Sequence, residues 1–333
     1  MTTDTETGHR TGGRRRRQRR RPLVTVALAL LAAVAVAAGV VVYNDVSKPH
    51  GPLTSLPSSA GSYLGVYTKG LPASYDPISS FKQSTGTTPD LVMYYSGWYV
   101  PFPARFAGTV AANGAAPLIQ LDPDRKDISI SGIAAGRYDA YLSQYAVAVK
   151  AYRHPVVLSF GHEMNGAWSP WGYTHVAPAT FVAAWRHIVN EFRDLGVHNV
   201  TWLWTANIVN NTKSGQIPDP QPWWPGPAYV NWVGLDGYYL KPGWQFAPLF
   251  GPTISDVRKF TSAPILIAET GAQTTADQPA KVADLFAGVR KYGLLGLVYF
   301  NNANSIHQQF GLSSPAAIEA FRKGAATYHR PGS

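Results

Sequence analysis

Cysteine is missing from the 333 residues, and acidic side chains are scarce, with 19 aspartates and glutamates in total. Without cysteine the chain cannot form disulfides, thiolate metal sites or a thiol nucleophile. Two nucleotide-binding signatures are also missing, since no Gly-x-Gly-x-x-Gly follows the first predicted strand and no phosphate loop occurs. These absences exclude thiol chemistry and disfavour a doubly wound, dinucleotide-binding sheet.

The positive charge is concentrated at the N-terminus. The formal net charge is +10, but eight arginines lie among the first 22 residues against only Asp4 and Glu6, which leaves +4 for the rest of the chain. That remainder has no dense basic run, so nucleic-acid binding by the main domain is disfavoured. Residues 1–22 are interpreted as a basic cytoplasmic tail.

An uncharged, apolar segment extends from Leu23 to Tyr43. At a rise of about 1.5 Å per residue, a helix of this length just spans a hydrocarbon core of about 30 Å. Arginines on its N-terminal side predict a single-pass anchor in the cell membrane, with the following domain extracellular. The alternative is a cleaved signal peptide, with Ala35-Val36-Ala37 as the cleavage site and a secreted product.

A linker rich in Pro, Ser and Gly follows over residues 44–61, and residues 62–330 then show a uniform alternation of apolar runs and amphipathic segments. The predicted strands are Ser62–Thr68, Leu91–Trp98, Ala116–Leu121, Pro155–Phe160, Asn199–Ala206, Asn231–Tyr239, Pro264–Ala268 and Leu294–Phe300. Eight strand–helix units in about 270 residues predict an α/β fold, a (β/α)8 or TIM barrel, preceded by the transmembrane helix.

The helices are less evenly marked than the strands. One long helix is predicted between the third and fourth strands, because aromatic and apolar residues from Tyr138 to Tyr152 share one face. A weaker helix is predicted near Thr253–Phe260, and the last helix is expected to begin at Ser314-Pro315.

Polar side chains follow the ends of several predicted strands. Strand four leads into His162 and Glu163, strand seven leads into Glu269, and strand six contains Asp236 and Tyr238 near its end. A barrel collects its active site at the C-terminal ends of its strands, so these residues are expected to converge. Two carboxyl groups flanking a glycosidic bond, one protonated and one ionised, are what its hydrolysis requires.

Metal binding is the alternative role for these carboxylates. A His-Glu-x-x-His zinc site is excluded, because the position of the second histidine is Gly166. A divalent cation held by Glu163 and Glu269 ranks lower, since no further acidic cluster lies beside either residue. No metal and no cofactor are therefore predicted.

Three motifs together resemble glycoside hydrolase family 26. They are His-Glu-Met-Asn-Gly-x-Trp from His162 to Trp168, Val-Gly-Leu-Asp-Gly-Tyr ending at Tyr238, and Ile-Ala-Glu-Thr-Gly around Glu269. The likeness spans about residues 62–325. It implies a retaining (β/α)8 enzyme, since the family consists mostly of endo-β-1,4-mannanases with some β-glucanases and xylanases.

The resemblance also implies roles for the matching residues. Glu163 would be the acid/base and Glu269 the nucleophile, while His162 would help to bind the sugar and tune Glu163. Tyr238 would hydrogen-bond the nucleophile, and Asp236 would support that network.

Trp168 would stack on a sugar near the cleavage point. The role of Asn207 stays open between backbone contacts and substrate. The segments Gln83–Ser96 and Leu240–Gly251 match none of the family motifs.

The other tryptophans divide into two sets. Those within regular elements are predicted to be core residues: Trp185, Trp202, Trp204 and Trp232. Those at strand ends or in loops have positions suited to sugar stacking, and their roles stay open: Trp98, Trp171, Trp223, Trp224 and Trp244.

The predicted function is a retaining β-glycoside hydrolase that acts on a cell-wall-type polysaccharide, with endo-β-1,4-mannanase favoured. Glu269 would attack the anomeric carbon while Glu163 protonates the leaving oxygen, with the carboxyl groups about 5–5.5 Å apart. A mixed-linkage β-glucanase or a xylanase would use the same pair. The alternative from another class is a membrane-tethered, inactive barrel that only binds carbohydrate. Endo or exo action and oligomeric state stay open.

Overall fold

A computed structural model of the protein describes residues 56–209, 211–212, 215–303 and 308–328. In this part of the chain, eight parallel strands close into a barrel in which each strand pairs with the next and the last pairs with the first. The strands are β1 (Tyr63–Tyr67), β2 (Leu91–Gly97), β3 (Ala116–Asp122), β4 (Val156–Phe160), β5 (Val200–Asn207), β6 (Trp232–Tyr239), β7 (Ile265–Ala272) and β8 (Gly296–Phe300). The prediction of a (β/α)8 barrel is confirmed.

The α-helices of the described residues follow the strands in the order expected for this fold. They are α1 (Asp76–Thr85), α2 (Ala104–Ala112), α3 (Ile130–Ala134), α4 (Asp139–Tyr152), α5 (Pro178–Asp194), α6 (Phe246–Arg258), α7 (Gln278–Lys291) and α8 (Pro315–Ala325). Between β5 and β6 the chain instead forms two 3-10 turns, Gln221–Trp223 and Pro227–Tyr229.

The predicted tail (1–22), transmembrane segment (23–43) and most of the linker lie outside the described residues. Among the residues that are described, no helix is long and apolar enough to cross a membrane. The membrane anchor therefore stays a prediction.

Each strand buries both of its faces. On β3, Leu118 packs inside the barrel, whereas Ile119 and Leu121 pack outward against the helices. This double burial explains why the strands read as continuous apolar runs in the sequence. The lower interior is filled by large side chains from around the ring: Tyr63, Leu91, Met93, Leu118, Val157, Leu203, Trp232, Leu266 and Val298.

A β-bulge in β7 decides where Glu269 points. Toward β6 the pairing passes from Ile267 to Glu269 over one residue of β6, and toward β8 it also gains one residue on β7. Both Ala268 and Glu269 consequently face the barrel interior, although regular alternation would turn one of them outward. The predicted strand ended at Ala268, but the observed strand continues to Ala272.

The long helix predicted from the Tyr138–Tyr152 pattern is confirmed as α4, but the short helix α3 before it was not predicted. The chain turns between the two helices through Gly136, whose φ is +74°. The prediction for the helix after β6 was wrong in its boundaries. Helix α6 begins at Phe246, ahead of the predicted Thr253, and carries Pro252 inside it. Burial of Phe246 and Phe250 favours this longer helix despite the backbone hydrogen bond that a proline removes.

The start of the last helix agrees with the prediction. Ser314 is the N-cap of α8, and its Oγ accepts a hydrogen bond of 3.1 Å from the amide of Ala317. Pro315 occupies the first helical position, where its missing N–H is not needed.

Candidate active site

The turn after β4 presents Glu163 at the mouth of the barrel. Gly161 and Glu163 both have φ of +55°, the left-handed region that a glutamate rarely adopts. The turn is held in place because the Glu163 amide donates to the Thr205 carbonyl at 2.9 Å and the Gly166 amide donates to the Glu163 carbonyl at 2.8 Å. A strained backbone conformation that is held by surrounding hydrogen bonds, as at Glu163, is typical of functional positions.

Two side-chain donors hold the Glu163 carboxylate. Trp168 Nε1 donates to Oε2 at 2.7 Å, and Asn207 Nδ2 donates to Oε1. Asn207 is the last residue of β5, so a neighbouring strand end fixes the orientation of this carboxyl group. The sequence left the role of Asn207 open between backbone contacts and substrate. In the structure its side chain contacts Glu163, the predicted acid/base.

Asn165 joins the β4 turn to β5. Its side chain is fully buried, and Nδ2 donates to the carbonyls of Asn207 at 2.9 Å and Pro218 at 3.1 Å. Its Oδ1 accepts from the Asn207 amide at 2.9 Å. Asn207, which contacts Glu163, is thus held in place by the buried side chain of Asn165.

Glu269 is only 7% exposed and lies between two phenols. The hydroxyl of Tyr238 donates to Oε1, and the hydroxyl of Tyr95 donates to Oε2. Burial and the nearby charge of Glu163 raise the pKa of Glu269 to about 6, while His162 and the two phenols oppose the rise. The charge of Glu163 thus acts on Glu269. With a pKa of about 6, Glu269 is ionised at neutral pH.

His162 is paired with Asp122 at the end of β3. Nδ1 of His162 lies 2.8 Å from Oδ1 of Asp122. Burial alone would lower the pKa of His162, but the Asp122 carboxylate, its hydrogen bond and the charges of Glu163 and Glu269 raise it to about 10. The site accordingly holds an imidazolium beside the two glutamates at neutral pH.

Asp236 lies inside the barrel, in register with Glu269 across β6 and β7. It is fully buried, and neither carboxyl oxygen has a hydrogen-bond partner among the described residues. Burial and the charges of Glu269 and Glu163 raise the pKa of Asp236 well above its usual range. Because its side chain is fully buried, Asp236 is shielded from solvent and from direct contact with a substrate.

The aromatic residues around the mouth differ sharply in exposure. Trp168 is 51% exposed, as a sugar platform requires, whereas Trp98, Trp171 and Trp223 are buried. Trp171 instead donates from Nε1 to the His162 carbonyl at 2.8 Å and supports the turn.

Trp224 and Trp244 are half-buried against the core. The four tryptophans predicted to be core residues are all buried: Trp185, Trp202, Trp204 and Trp232.

The structure thus gathers His162, Glu163, Trp168, Tyr238 and Glu269 around one opening. Two residues in contact with them, Tyr95 and Asp122, were not identified from the sequence. Each is a polar residue near the end of a predicted strand, which is by itself a weak signal for a site residue. No motif distinguished them from other strand ends.

A (β/α)8 barrel that presents two glutamates at its C-terminal mouth, one after β4 and one on β7, has the arrangement that glycoside hydrolysis requires. The sequence model of glycosyl hydrolase family 26 matches residues 127–266. The resemblance to family 26 that the motifs indicated is confirmed by this match.

Individual relatives show how far the likeness extends. Endoglucanase H of Acetivibrio thermocellus is 28% identical over 281 residues, which cover 80% of this chain and 30% of that protein. The beta-1,3-xylanase TXYA of a Vibrio species is 26% identical over 178 residues, covering 50% of this chain and 36% of that protein. The chain thus spans about a third of the length of these curated relatives.

The solved structure of a Cellulomonas fimi endo-beta-1,4-mannanase double mutant has the same fold. It aligns with a TM-score of 0.61 at 19% identity, covering 80% of this chain and 72% of that one.

Proposed function

We propose that the protein is a retaining β-glycoside hydrolase that cleaves a β-linked polysaccharide by double displacement. Glu269 is the nucleophile and Glu163 the acid/base. The observation that carries the proposal is the contrast between their surroundings. Glu269 is buried between two phenol donors, whereas Glu163 stands beside an exposed indole at the opening.

In the first step, a carboxylate oxygen of Glu269 attacks the anomeric carbon, and the bond from that carbon to the leaving oxygen breaks. Glu163 gives its proton to the leaving oxygen, and a glycosyl ester of Glu269 results. In the second step, Glu163 takes a proton from water, the water oxygen attacks the anomeric carbon, and the ester bond breaks.

The imidazolium of His162 pairs with the Asp122 carboxylate and interacts with the charges of Glu163 and Glu269. Its positive charge favours the ionised form of Glu269, which the first step consumes. Trp168 provides the face on which a sugar ring lies next to the acid/base, and its N–H keeps the Glu163 carboxyl group directed at the leaving oxygen.

Mannan is the substrate that the motif resemblance favours. A β-glucan is the second candidate, because the relative that covers 80% of this chain is an endoglucanase. Both polymers are β-linked and require the same pair of carboxyl groups.

The test is reducing-sugar release from mannan, glucomannan, mixed-linkage β-glucan and xylan by the purified protein. Glu163→Ala and Glu269→Ala should each lose activity by at least about 1,000-fold, whereas Glu319→Ala, which removes an exposed carboxylate of α8, should be unaffected.

Azide should rescue the two variants with opposite stereochemistry, giving the β-glycosyl azide from Glu163→Ala and the α-glycosyl azide from Glu269→Ala. Binding without turnover in the wild type would instead identify a carbohydrate-binding barrel.

Residues 23–43 are proposed to anchor the barrel outside the cell membrane. Their apolar character and the preceding arginines support this arrangement. Retention of the full chain in membranes after alkaline carbonate extraction is the expected result, and release of a shortened chain into the medium would instead indicate a cleaved signal.

A further inference from the structure

We propose that Tyr95 is a positioning residue for the nucleophile, a second phenol that keeps Glu269 ionised and in a single orientation. The inference rests on the proposed role of Glu269. No family motif covers this position, since Tyr95 falls within the unmatched segment Gln83–Ser96.

Tyr95 and Tyr238 hydrogen-bond the Glu269 carboxylate from opposite sides of the barrel. Tyr95 lies on β2 and Tyr238 on β6, and three strands lie between these two positions in either direction around the ring. Each hydroxyl donates to a different oxygen of Glu269. One donor would leave the carboxylate free to rotate about its terminal bond, whereas two donors fix the plane of the group.

Neighbouring rings hold Tyr95 in this position. Its ring centroid lies 5.4 Å from that of His162 and 5.3 Å from that of Tyr67. Tyr67 in turn stacks on Phe300 of β8 with 4.5 Å between centroids. Because rings pack on both sides of it, the hydroxyl stays directed at Glu269.

The phenol of Tyr95 is also a permanent donor. Burial and the charge of Glu269 raise the pKa of Tyr95 well above its usual range, so the hydroxyl keeps its proton at every working pH. A hydrogen bond to the ionised carboxylate lowers the pKa of Glu269 and opposes the effect of burial. Loss of this donor should therefore move the pKa of Glu269 upward.

The first test is Tyr95→Phe in the full chain, a change that keeps the ring and removes the donor. We expect kcat/KM at pH 7 to fall about 10- to 100-fold and the acidic limb of the pH profile to move to higher pH. The matched control is Tyr94→Phe on the same strand. The Tyr94 ring packs outward against Phe106, and its buried hydroxyl has no hydrogen-bond partner among the described residues. It should behave as the wild type.

The second test replaces Tyr95 with 3-fluorotyrosine, which preserves the shape of the ring and donates a stronger hydrogen bond. The acidic limb should then move to lower pH, opposite to the shift in Tyr95→Phe. If Tyr95→Phe fails to fold, the shift of the acidic limb in the fluorotyrosine protein is sufficient to test the role of Tyr95. A residue needed only for packing would move the limb in neither protein.

A direct readout is the 13C-carboxyl titration of Glu269, assigned by its loss in Glu269→Gln. This titration needs no substrate. Absence of turnover in the wild type would rule out the proposed function. The comparison of the Glu269 pKa between the wild type and the Tyr95 proteins would still test the role of Tyr95. An unchanged Glu269 titration in both Tyr95 proteins would overturn the inference.

Discussion

Trp168 and Glu163 form one unit: the indole Nε1 donates a hydrogen bond of 2.7 Å to Oε2 of the carboxylate, while half of the ring faces solvent. A side chain on which a sugar can lie thus also directs the predicted acid/base. In the proposed mechanism, Trp168 would therefore couple substrate stacking to proton transfer.

Trp168→Phe keeps an aromatic face but removes the indole donor. We expect kcat/KM to fall about 10-fold with little change in stability, because the hydrogen bond that orients the Glu163 carboxyl group is lost and the ring is exposed. Trp168→Ala should in addition raise KM, since the sugar platform is gone. Wild-type kinetics in Trp168→Phe would show that the hydrogen bond has no part in turnover.

Gly166→Ala should give the same loss by a different route. The Trp168 ring lies so close to Gly166 that an added Cβ would overlap it, and the exposed ring would have to move away from Glu163. The control is Gly108→Ala in α2, where a Cβ would meet nothing within 4 Å. That change should leave kinetics unaltered and stabilise the helix by up to about 1 kcal/mol. Equal activities in the two alanine variants would contradict the expectation.

Activity should decline below about pH 6, because Glu269 attacks as a carboxylate and its pKa is raised to about 6. The kcat/KM profile should show this acidic limb, and an acidic limb near pH 4 would argue against Glu269 as the buried nucleophile.

The same pKa shift predicts how stability depends on pH. Burial raises the pKa of Glu269 from 4.5, so the folded chain binds the proton more tightly than the unfolded chain and stability falls as pH rises through this interval. Relative to Glu269→Gln, the wild type should lose about 2 kcal/mol between pH 4 and pH 7. Urea unfolding of both proteins at the two pH values measures this difference, and a constant difference would contradict it.

Asp122→Asn should return His162 to the neutral form at pH 7. The Asp122 carboxylate and its hydrogen bond are the largest of the effects that raise the pKa of His162 to about 10, whereas burial lowers it. Without the carboxylate, the midpoint should fall to the ordinary value of 6.5 or below. 15N NMR of the imidazole follows the change, and a midpoint that stays near 10 would assign the effect to the glutamates instead.

Asn165→Ala should destabilise the protein by about 2–4 kcal/mol, because it removes a fully buried side chain and leaves two carbonyls and one amide of half-buried residues without their partner. Asn113→Ala, at the partly exposed end of α2, is the matched control and should cost less than about 1 kcal/mol. Chemical denaturation separates the two. Similar values would mean that solvent replaces the Asn165 contacts.

Most strand positions were predictable because parallel strands buried on both faces leave continuous apolar runs. The runs ending at Phe160 and Phe300 match β4 and β8 at that end. Helix boundaries were less predictable, since burial of Phe246 outweighs the local preference of Pro252. Tyr95 could not be separated from other strand residues, because its contact with Glu269 joins positions 174 residues apart.

The sequence by itself determined the number of strand–helix units, their order and the strand ends at which His162 and Glu163 lie, since periodicity and motif spacing are local properties of the chain. Only the tertiary structure decided which side chains meet. The bulge that turns Glu269 into the mouth, the Tyr95 and Asn207 contacts with the two glutamates, and the Asp122–His162 pair all arise from closure of the barrel. Closure brings distant strand ends within hydrogen-bonding distance, and no local pattern encodes which of their polar groups will pair.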